Sequence, residues 1–264
     1  MSNPGAISNW VNTLPEDGRY TFTAQEVAEV TGASPAAVRM ALYRLRKRGL
    51  IATPRRGFFV LVPPEYRSAG CPPASWFIDD LMRHLGRRYY VALLSAAALH
   101  GAGHQQPMAF QVITNAAERD IEEGRVRIQF HASNLIEGAA TIRMQTETGT
   151  MAVATPETTA FDLVRFPGAS GYWSNIATAL SELAERLDPA ELSAAAGRVA
   201  RSDTQRLGWL LDRVGEGALA GALEAQLENK RLHPTPLSTM RSATDAPLDA
   251  RWRILVNDDV EPDL

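Results

Sequence analysis

The chain has 264 residues, of which 45% are hydrophobic and 22% charged, and it contains a single cysteine. This length accommodates a small domain and a larger one, and the composition is that of an ordinary globular protein. A single cysteine excludes an intramolecular disulfide and any metal site built from several cysteines. The N-terminus does not read as a secretory signal, and the longest nearly apolar run, Tyr89–Leu99, is too short to span a membrane. We therefore expect a cytoplasmic protein.

The net charge of −3 conceals a difference between the two ends of the chain. Residues 1–67 contain nine basic and five acidic residues, whereas residues 68–264 contain eighteen basic and twenty-five acidic ones. Between Glu29 and Glu65 there are seven basic residues and no acidic one. A basic block in an otherwise acidic protein indicates a polyanionic partner, and the alternative is a basic face that is merely solvated.

The basic block lies within a pattern of short elements. A helix is predicted at about Ile7–Leu14 and a strand at Tyr20–Phe22. Thr23 and Glu26 have the spacing of a capping box, which predicts a helix over residues 24–30. Ser34, followed by proline, is the expected N-cap of a second helix that ends at Gly49.

A hairpin is predicted directly after these helices. Its strands cover about residues 50–53 and 58–62, and its turn at residues 54–57 carries two arginines. Two helices joined by a tight turn and followed by a basic hairpin are typical of a winged helix-turn-helix, which we assign to residues 1–67. A winged helix that makes only protein contacts is the alternative, but the absence of acidic residues argues against it.

The second helix is predicted to bury one face and to present the other to double-stranded DNA. Arg39 suits the edge of a guanine in the major groove, and the arginines of the hairpin turn suit backbone phosphates or a narrow minor groove. The predicted DNA-binding residues are Thr23, Ser34, Ala36, Arg39, Tyr43, Arg44, Lys47, Arg55 and Arg56.

A proline-rich joint at residues 63–73 is predicted to separate this domain from a larger one, residues 68–264. The larger domain contains both helical and strand patterns, so the expected fold class is mainly α with β (α+β). Strands are predicted at 110–114, 126–131, 142–147 and 151–154, with an extended segment at 252–256. Helices are predicted at 76–85, 89–100, 156–165, 173–186, 189–200 capped by Asp188, 203–214 capped by Ser202, and 217–228.

No catalytic motif is evident in the sequence. A phosphate-binding loop and a nucleophile elbow are both missing. His100 and His104 are separated by glycines that disfavour a helical metal site, Asp120 and Glu122 are expected to be solvated acids, and Cys71 is expected to be an incidental thiol. We therefore predict no catalytic residue, no metal and no cofactor.

Three segments carry a resemblance to a known family. They are residues 89–102 (YYVALLSAAALHGA), 154–165 (ATPETTAFDLVR) and 251–257 (RWRILVN). Together with a winged helix followed by a proline-rich joint, they resemble the AbiEi family of antitoxins over nearly the whole chain.

This resemblance implies the antitoxin of a type IV toxin–antitoxin (abortive infection) pair. The N-terminal domain of such a protein binds inverted repeats in the promoter of its own operon and represses it. Its C-terminal domain counteracts a nucleotidyltransferase toxin. The alternative is a stand-alone transcriptional regulator whose C-terminal domain binds a ligand or a protein, and an enzyme tethered to DNA is a more distant one.

Overall fold

The computed structural model describes residues 4–102, 107–228 and 230–262. Two compact units are formed, and each is built from discontinuous segments. The first comprises Met1–Tyr89, Met108–Ala132 and Arg143–Ala152. The second comprises Tyr90–Pro107, Ser133–Ile142 and Val153–Leu264. The predicted combination of helices and strands is confirmed. The predicted boundary at residues 63–73 between a domain of residues 1–67 and a domain of residues 68–264 stays a prediction.

The first unit begins with the predicted winged helix-turn-helix. Its helices are α1 (Pro4–Thr13), α2 (Ala24–Thr31) and α3 (Pro35–Lys47), and its strands are β1 (Thr21–Thr23), β2 (Ile51–Arg55) and β3 (Phe58–Leu61). The strands form an antiparallel sheet in the order β1-β3-β2.

Both predicted helix caps of this domain are present. The Thr23 hydroxyl accepts a hydrogen bond from the backbone N–H of Glu26 at 3.2 Å, and the Glu26 carboxylate accepts one from the backbone N–H of Thr23 at 2.9 Å. Ser34 Oγ accepts from the N–H of Ala37 at 3.3 Å and so caps α3. Each cap satisfies a backbone donor that the first turn of a helix leaves without a partner.

An apolar core holds the three helices against the small sheet. The buried face of α3 consists of Val38, Leu42 and Leu45. These positions recur every three or four residues, as one face of a helix requires. They pack in one cluster with side chains of α1, the 3-10 turn that follows it, α2 and the sheet: Ile7, Val11, Leu14, Phe22, Val27, Ile51 and Leu61.

The remaining elements follow in chain order. They are α4 (Ile78–Leu85), β4 (Tyr89–Val91), α5 (Leu93–Leu99), β5 (Phe110–Thr114), β6 (Ile121–Glu123), β7 (Val126–Ala132), β8 (Thr141–Thr146), β9 (Gly149–Ala154), α6 (Pro156–Arg165), α7 (Tyr172–Leu183), α8 (Pro189–Ala196), α9 (Arg201–Arg213), α10 (Gly217–Leu227), β10 (Thr235–Pro236) and β11 (Ile254–Leu255). Within the described ranges, none of the helices has both the length and the apolar character needed to cross a membrane.

The larger sheet combines parallel and antiparallel strands. Its order is β6-β7-β5-β4-β9-β8. Strands β5 and β7 are parallel, with Val112 paired to Phe130, while β6 and β7 are antiparallel. The chain connecting the winged helix to this part of the first unit lies against the turn between β6 and β7, where Arg125 N–H donates to the Ala69 carbonyl at 2.7 Å.

The second unit is a cluster of helices around one apolar core. Helix α6 is almost entirely buried at its centre, and α7, α9 and α10 contribute further buried residues. The indole of Trp252 lies directly against Gly208 of α9. Of the predicted extended segment 252–256, only Ile254–Leu255 forms a strand, β11, which pairs in parallel with β10; Trp252 lies in a turn.

Several predicted elements differ from the observed ones; helix α8, predicted at 189–200, ends at Ala196. Residues 89–100 are not one helix, because Tyr89–Val91 forms β4, as aromatic and β-branched side chains favour, and the helix begins only at Leu93. Helix α9 begins two residues earlier than predicted, so Ala200 and not Ser202 occupies its N-cap. Strands β6 and β10 have only three and two residues, too few for a recognisable alternation.

Candidate nucleic-acid interface

The outer face of α3 is exposed along its whole length. With 3.6 residues per turn, Ala36, Met40, Tyr43 and Lys47 form one stripe of this face. Arg39 lies on one side of the stripe and Arg44 on the other. All six side chains are exposed, opposite the buried stripe that faces the core. The sequence-predicted residues of α3 therefore share one face of one helix.

Most of the cations around this face have no acidic partner. In the described part of the chain, no ion pair or side-chain hydrogen bond holds the exposed residues Arg39, Arg44, Lys47, Arg48 and Arg56. Their positive charges are consequently uncompensated and free to meet an external anion. An unpaired cluster of this kind attracts a polyanion over a distance of about 8–10 Å at physiological salt.

Arg46 differs from its neighbours because it is already paired. Its guanidinium lies 3.3 Å from both carboxylate oxygens of Glu123, on β6. Glu123 also accepts a hydrogen bond from the backbone N–H of Thr53 at 3.1 Å. One carboxylate of β6 thus links α3 and β2, all within the first unit.

The two wing arginines occupy different environments. Arg56 lies in the turn with Gly57 and is exposed, as predicted. Arg55 is the last residue of β2, and its guanidinium donates to the backbone carbonyls of Arg119 and Asp120. It also lies over the ring of Phe130, with its carbon 5.7 Å from the ring centroid. These contacts leave Arg55 less available to a phosphate than Arg56.

A shift in strand register explains why Arg55 is not at the tip. Strands β2 and β3 pair at Ala52 and again at Arg55, with an irregularity between the two positions. Pro54, which has no N–H to donate to a ladder, lies within this irregular stretch. The strand therefore continues through the proline, and the turn contains only Arg56 and Gly57.

Thr23 and Ser34 serve as helix caps. Their hydroxyls accept the capping hydrogen bonds described above, so each fixes the start of a helix of the helix-turn-helix. Ser34 is exposed and Thr23 is half-buried. A contact of either residue with DNA stays a prediction.

An apolar groove of ≈ 550 Å³ runs beside α3. Three arginines line it together with apolar side chains from α2, α3 and β3. The lining includes Ala24, Ala28, Val38, Arg39, Leu42, Tyr43, Arg46, Arg56 and Phe59. Local sequence patterns do not predict this groove. They do not predict the role of Glu123 either, because Glu123 lies 70 residues after its partner Thr53.

A buried polar cluster lies in the second unit. Asp162 is 1% exposed; it accepts hydrogen bonds from Tyr90 Oη at 3.0 Å and from Arg165 Nη1 at 2.9 Å, and Arg165 also donates to Ser133. Burial raises the pKa of Asp162 to about 7, because the loss of hydration outweighs the stabilisation by Arg165 and Tyr90. The Asp162 carboxylate, the Tyr90 hydroxyl and the Arg165 guanidinium thus all make hydrogen bonds within the protein.

The other described side chains that the sequence singled out for possible chemistry are buried or have partners within the protein. Cys71 is buried, which raises the pKa of its thiol to about 12 and disfavours the reactive thiolate. His100 Nε2 lies 2.7 Å from the Ala154 carbonyl, and His104 lies outside the described residues. Asp120 accepts a hydrogen bond from the N–H of Phe130, while Glu122 lies 3.6 Å from Arg127. Among the residues that are described, no group of acids, histidines and cysteine has the arrangement of a metal site.

Comparison with known proteins gives two family matches. Residues 90–213 match the model described as "AbiEi antitoxin C-terminal domain", and residues 12–62 match "Transcriptional regulator, AbiEi antitoxin". Neither description names an enzyme. The fold is similar to a crystal structure of the RV2827C protein from Mycobacterium tuberculosis, with a TM-score of 0.65 and 20% sequence identity over 94% of this chain and 90% of that one. No curated protein matches the sequence.

Proposed function

Because the chain belongs to the AbiEi antitoxin family, we propose that it is the antitoxin of a type IV toxin–antitoxin pair that also represses its own operon. In this proposal, the winged helix binds inverted repeats in the promoter. The remainder of the chain counteracts a nucleotidyltransferase toxin. The protein itself acts by binding and not by catalysis.

The observation that carries the DNA-binding part is the exposed basic face of α3. This helix has 13 residues and is therefore about 20 Å long, which suits insertion into a major groove. Arg39 and Arg44 flank its outer stripe. The unpaired Arg56 lies in the turn of the β2–β3 hairpin, from which it would reach a neighbouring phosphate or the minor groove. Phosphate contacts supply affinity and register, while contacts to base edges supply specificity.

Charge also supports the proposed action on the toxin. Residues 68–264 carry eighteen basic and twenty-five acidic residues, so this part of the chain has an excess of negative charge. A nucleotidyltransferase binds negatively charged nucleotide phosphates, so its substrate-binding surface is expected to be basic and to be attracted to the acidic part of this chain. The proposal therefore assigns the neutralising contacts to the acidic part of the chain and not to the basic winged helix.

A gel-shift experiment on the promoter of the protein's own operon tests the DNA-binding part. The full-length Arg39→Ala/Arg44→Ala/Lys47→Ala variant should bind roughly a hundredfold more weakly or worse, because three base or phosphate contacts are lost. A matched control removes three exposed arginines elsewhere, at Arg186, Arg201 and Arg231. Equal weakening by both variants would reject α3 as the recognition helix.

A stand-alone transcriptional regulator is the alternative function. The winged helix alone would suffice for it, and the second unit would then bind a ligand or another protein. Co-expression with the adjacent gene distinguishes the two functions. Rescue of growth from a toxic neighbour supports the antitoxin, whereas a neighbour without toxicity supports the regulator.

A further inference from the structure

The centre of the exposed face of α3 is apolar. Met40 is 53% exposed and Tyr43 is 61% exposed, although both are large hydrophobic side chains. Ala36 precedes Met40 by one turn on the same stripe. Exposed apolar residues are common when they occur singly, but here they follow one another along a face that carries uncompensated cations on both sides. Such a face needs a partner that offers both negative charge and an apolar contact.

Duplex DNA offers this combination in one place. The major groove presents hydrogen-bonding groups from every base pair, and its distinctive apolar group is the 5-methyl group of thymine. Methionine is flexible and polarisable, so it adapts to a small apolar group at the floor of a groove. Alanine at position 36 lacks the bulk that would hold the first half of α3 away from the bases.

We propose that Met40, together with Ala36 and Tyr43, recognises thymine methyl groups in the major groove. This inference rests on the proposed DNA-binding function and specifies what the interface reads. Each half-site of the operator then carries thymine opposite the middle of α3. The arginines on either side of the stripe contact guanine edges or phosphates that flank the thymine.

Like charge disfavours a second copy of the same face as the occupant. Arg39, Arg44, Lys47 and Arg48 surround the apolar stripe, so two such faces brought together would place like charges against each other. Burial of Met40 against another α3 would therefore be opposed by repulsion. Phosphates on both sides of a major groove would instead neutralise the same four cations.

Replacing thymine by deoxyuridine tests the inference, because only the methyl group is removed. The probe is the duplex that the full-length protein selects from a random-sequence pool, made with deoxyuridine at one thymine at a time. At one to three neighbouring positions we expect about a fourfold loss of affinity, the effect of burying one methyl group. The full-length Met40→Ala variant should bind the thymine duplex more weakly and should lose its sensitivity to deoxyuridine. The control is Met240→Ala, which removes another exposed methionine side chain, 80% exposed, from a different part of the chain.

The possible outcomes separate this inference from the proposed function. Tight, sequence-specific binding that is insensitive to every deoxyuridine would overturn the inference and leave the proposed function intact. Undiminished deoxyuridine sensitivity in the Met40→Ala variant would overturn the assignment to Met40. Failure of the full-length protein to select any duplex would overturn both. Sensitivity that disappears in Met40→Ala but persists in Met240→Ala supports the inference.

Discussion

Arg39 and Arg46 lie on the same side of α3, two turns apart, but only one of them is free to meet DNA. Glu123 neutralises Arg46, whereas no acidic residue in the described segments pairs with Arg39. We expect Arg39→Ala to lower affinity for the promoter by about 1–3 kcal/mol and to relax sequence preference. Arg46→Ala should cost less affinity, because binding would first have to break an existing ion pair. Fluorescence anisotropy with the promoter duplex measures both effects, and equal losses would contradict the distinction.

A second residue-scale prediction concerns the buried Asp162. Its pKa is raised to about 7 in the folded protein, against about 3.9 in an unfolded chain. The folded state therefore holds the proton more tightly, and the stability this contributes at low pH is lost as the pH rises through 7. Relative to Asp162→Asn, the wild type should lose ~2 kcal/mol of unfolding free energy between about pH 5 and about pH 7.5.

Urea denaturation of both proteins at the two pH values measures this difference. Asp245→Asn is the matched control, since it makes the same chemical change at an exposed position. A stability difference between wild type and Asp162→Asn that does not vary with pH would show that Asp162 remains ionised when buried beside Arg165.

At the scale of elements, substitution of two helical glycines by alanine should change the stability of the protein in opposite directions. A Cβ at Gly208 of α9 would overlap the indole of Trp252, whereas a Cβ at Gly221 of α10 would meet nothing within 4 Å. Gly208→Ala should destabilise the protein by about 1–3 kcal/mol, because the side chain overpacks the core. Gly221→Ala should stabilise it by up to about 1 kcal/mol, through the better helix propensity of alanine. Thermal unfolding measures both, and stabilisation by Gly208→Ala would contradict the close packing of Trp252.

The sequence predicts elements well where the signal is local. The capping box at Thr23, the Ser34 cap and the periodicity of α3 depend on residues within a few positions of one another, and all three are confirmed. The exposed face of α3 follows from the same periodicity. The environments of Arg46 and Arg55 could not be predicted, because their partners lie 77 and 64 residues away in sequence.

The errors in the larger part of the chain have a similar origin. Tyr89–Val91 continues directly into an apolar helix, and a short apolar run does not by itself distinguish a buried strand from a helix. Strand β6 is defined by its pairing with β7 and not by its own three residues. Where pairing between distant segments decides the structure, local patterns are insufficient.

At the scale of the whole molecule, DNA binding and toxin neutralisation should separate by point substitution in the full chain. A cut at residues 63–73 would remove Glu123 and the carbonyls that hold Arg55, so the isolated winged helix would lose contacts that support its wing. The full-length Arg39→Ala/Arg44→Ala/Lys47→Ala variant keeps those contacts and changes only exposed side chains. It should fail to repress the promoter but still protect cells from the toxin.

Two measurements on this variant and the wild type decide the question. A promoter–reporter assay should show lost repression. The log–log slope of residual binding against salt should become shallower by about 0.9 for each substituted residue that contacts a phosphate, and so by at most about 2.7. Growth after toxin induction should remain protected, because the acidic residues after position 67 are unchanged. Loss of protection in a folded, stably expressed variant would mean that neutralisation acts through the basic face of α3 or through the DNA bound to it, and the two activities would then share one surface.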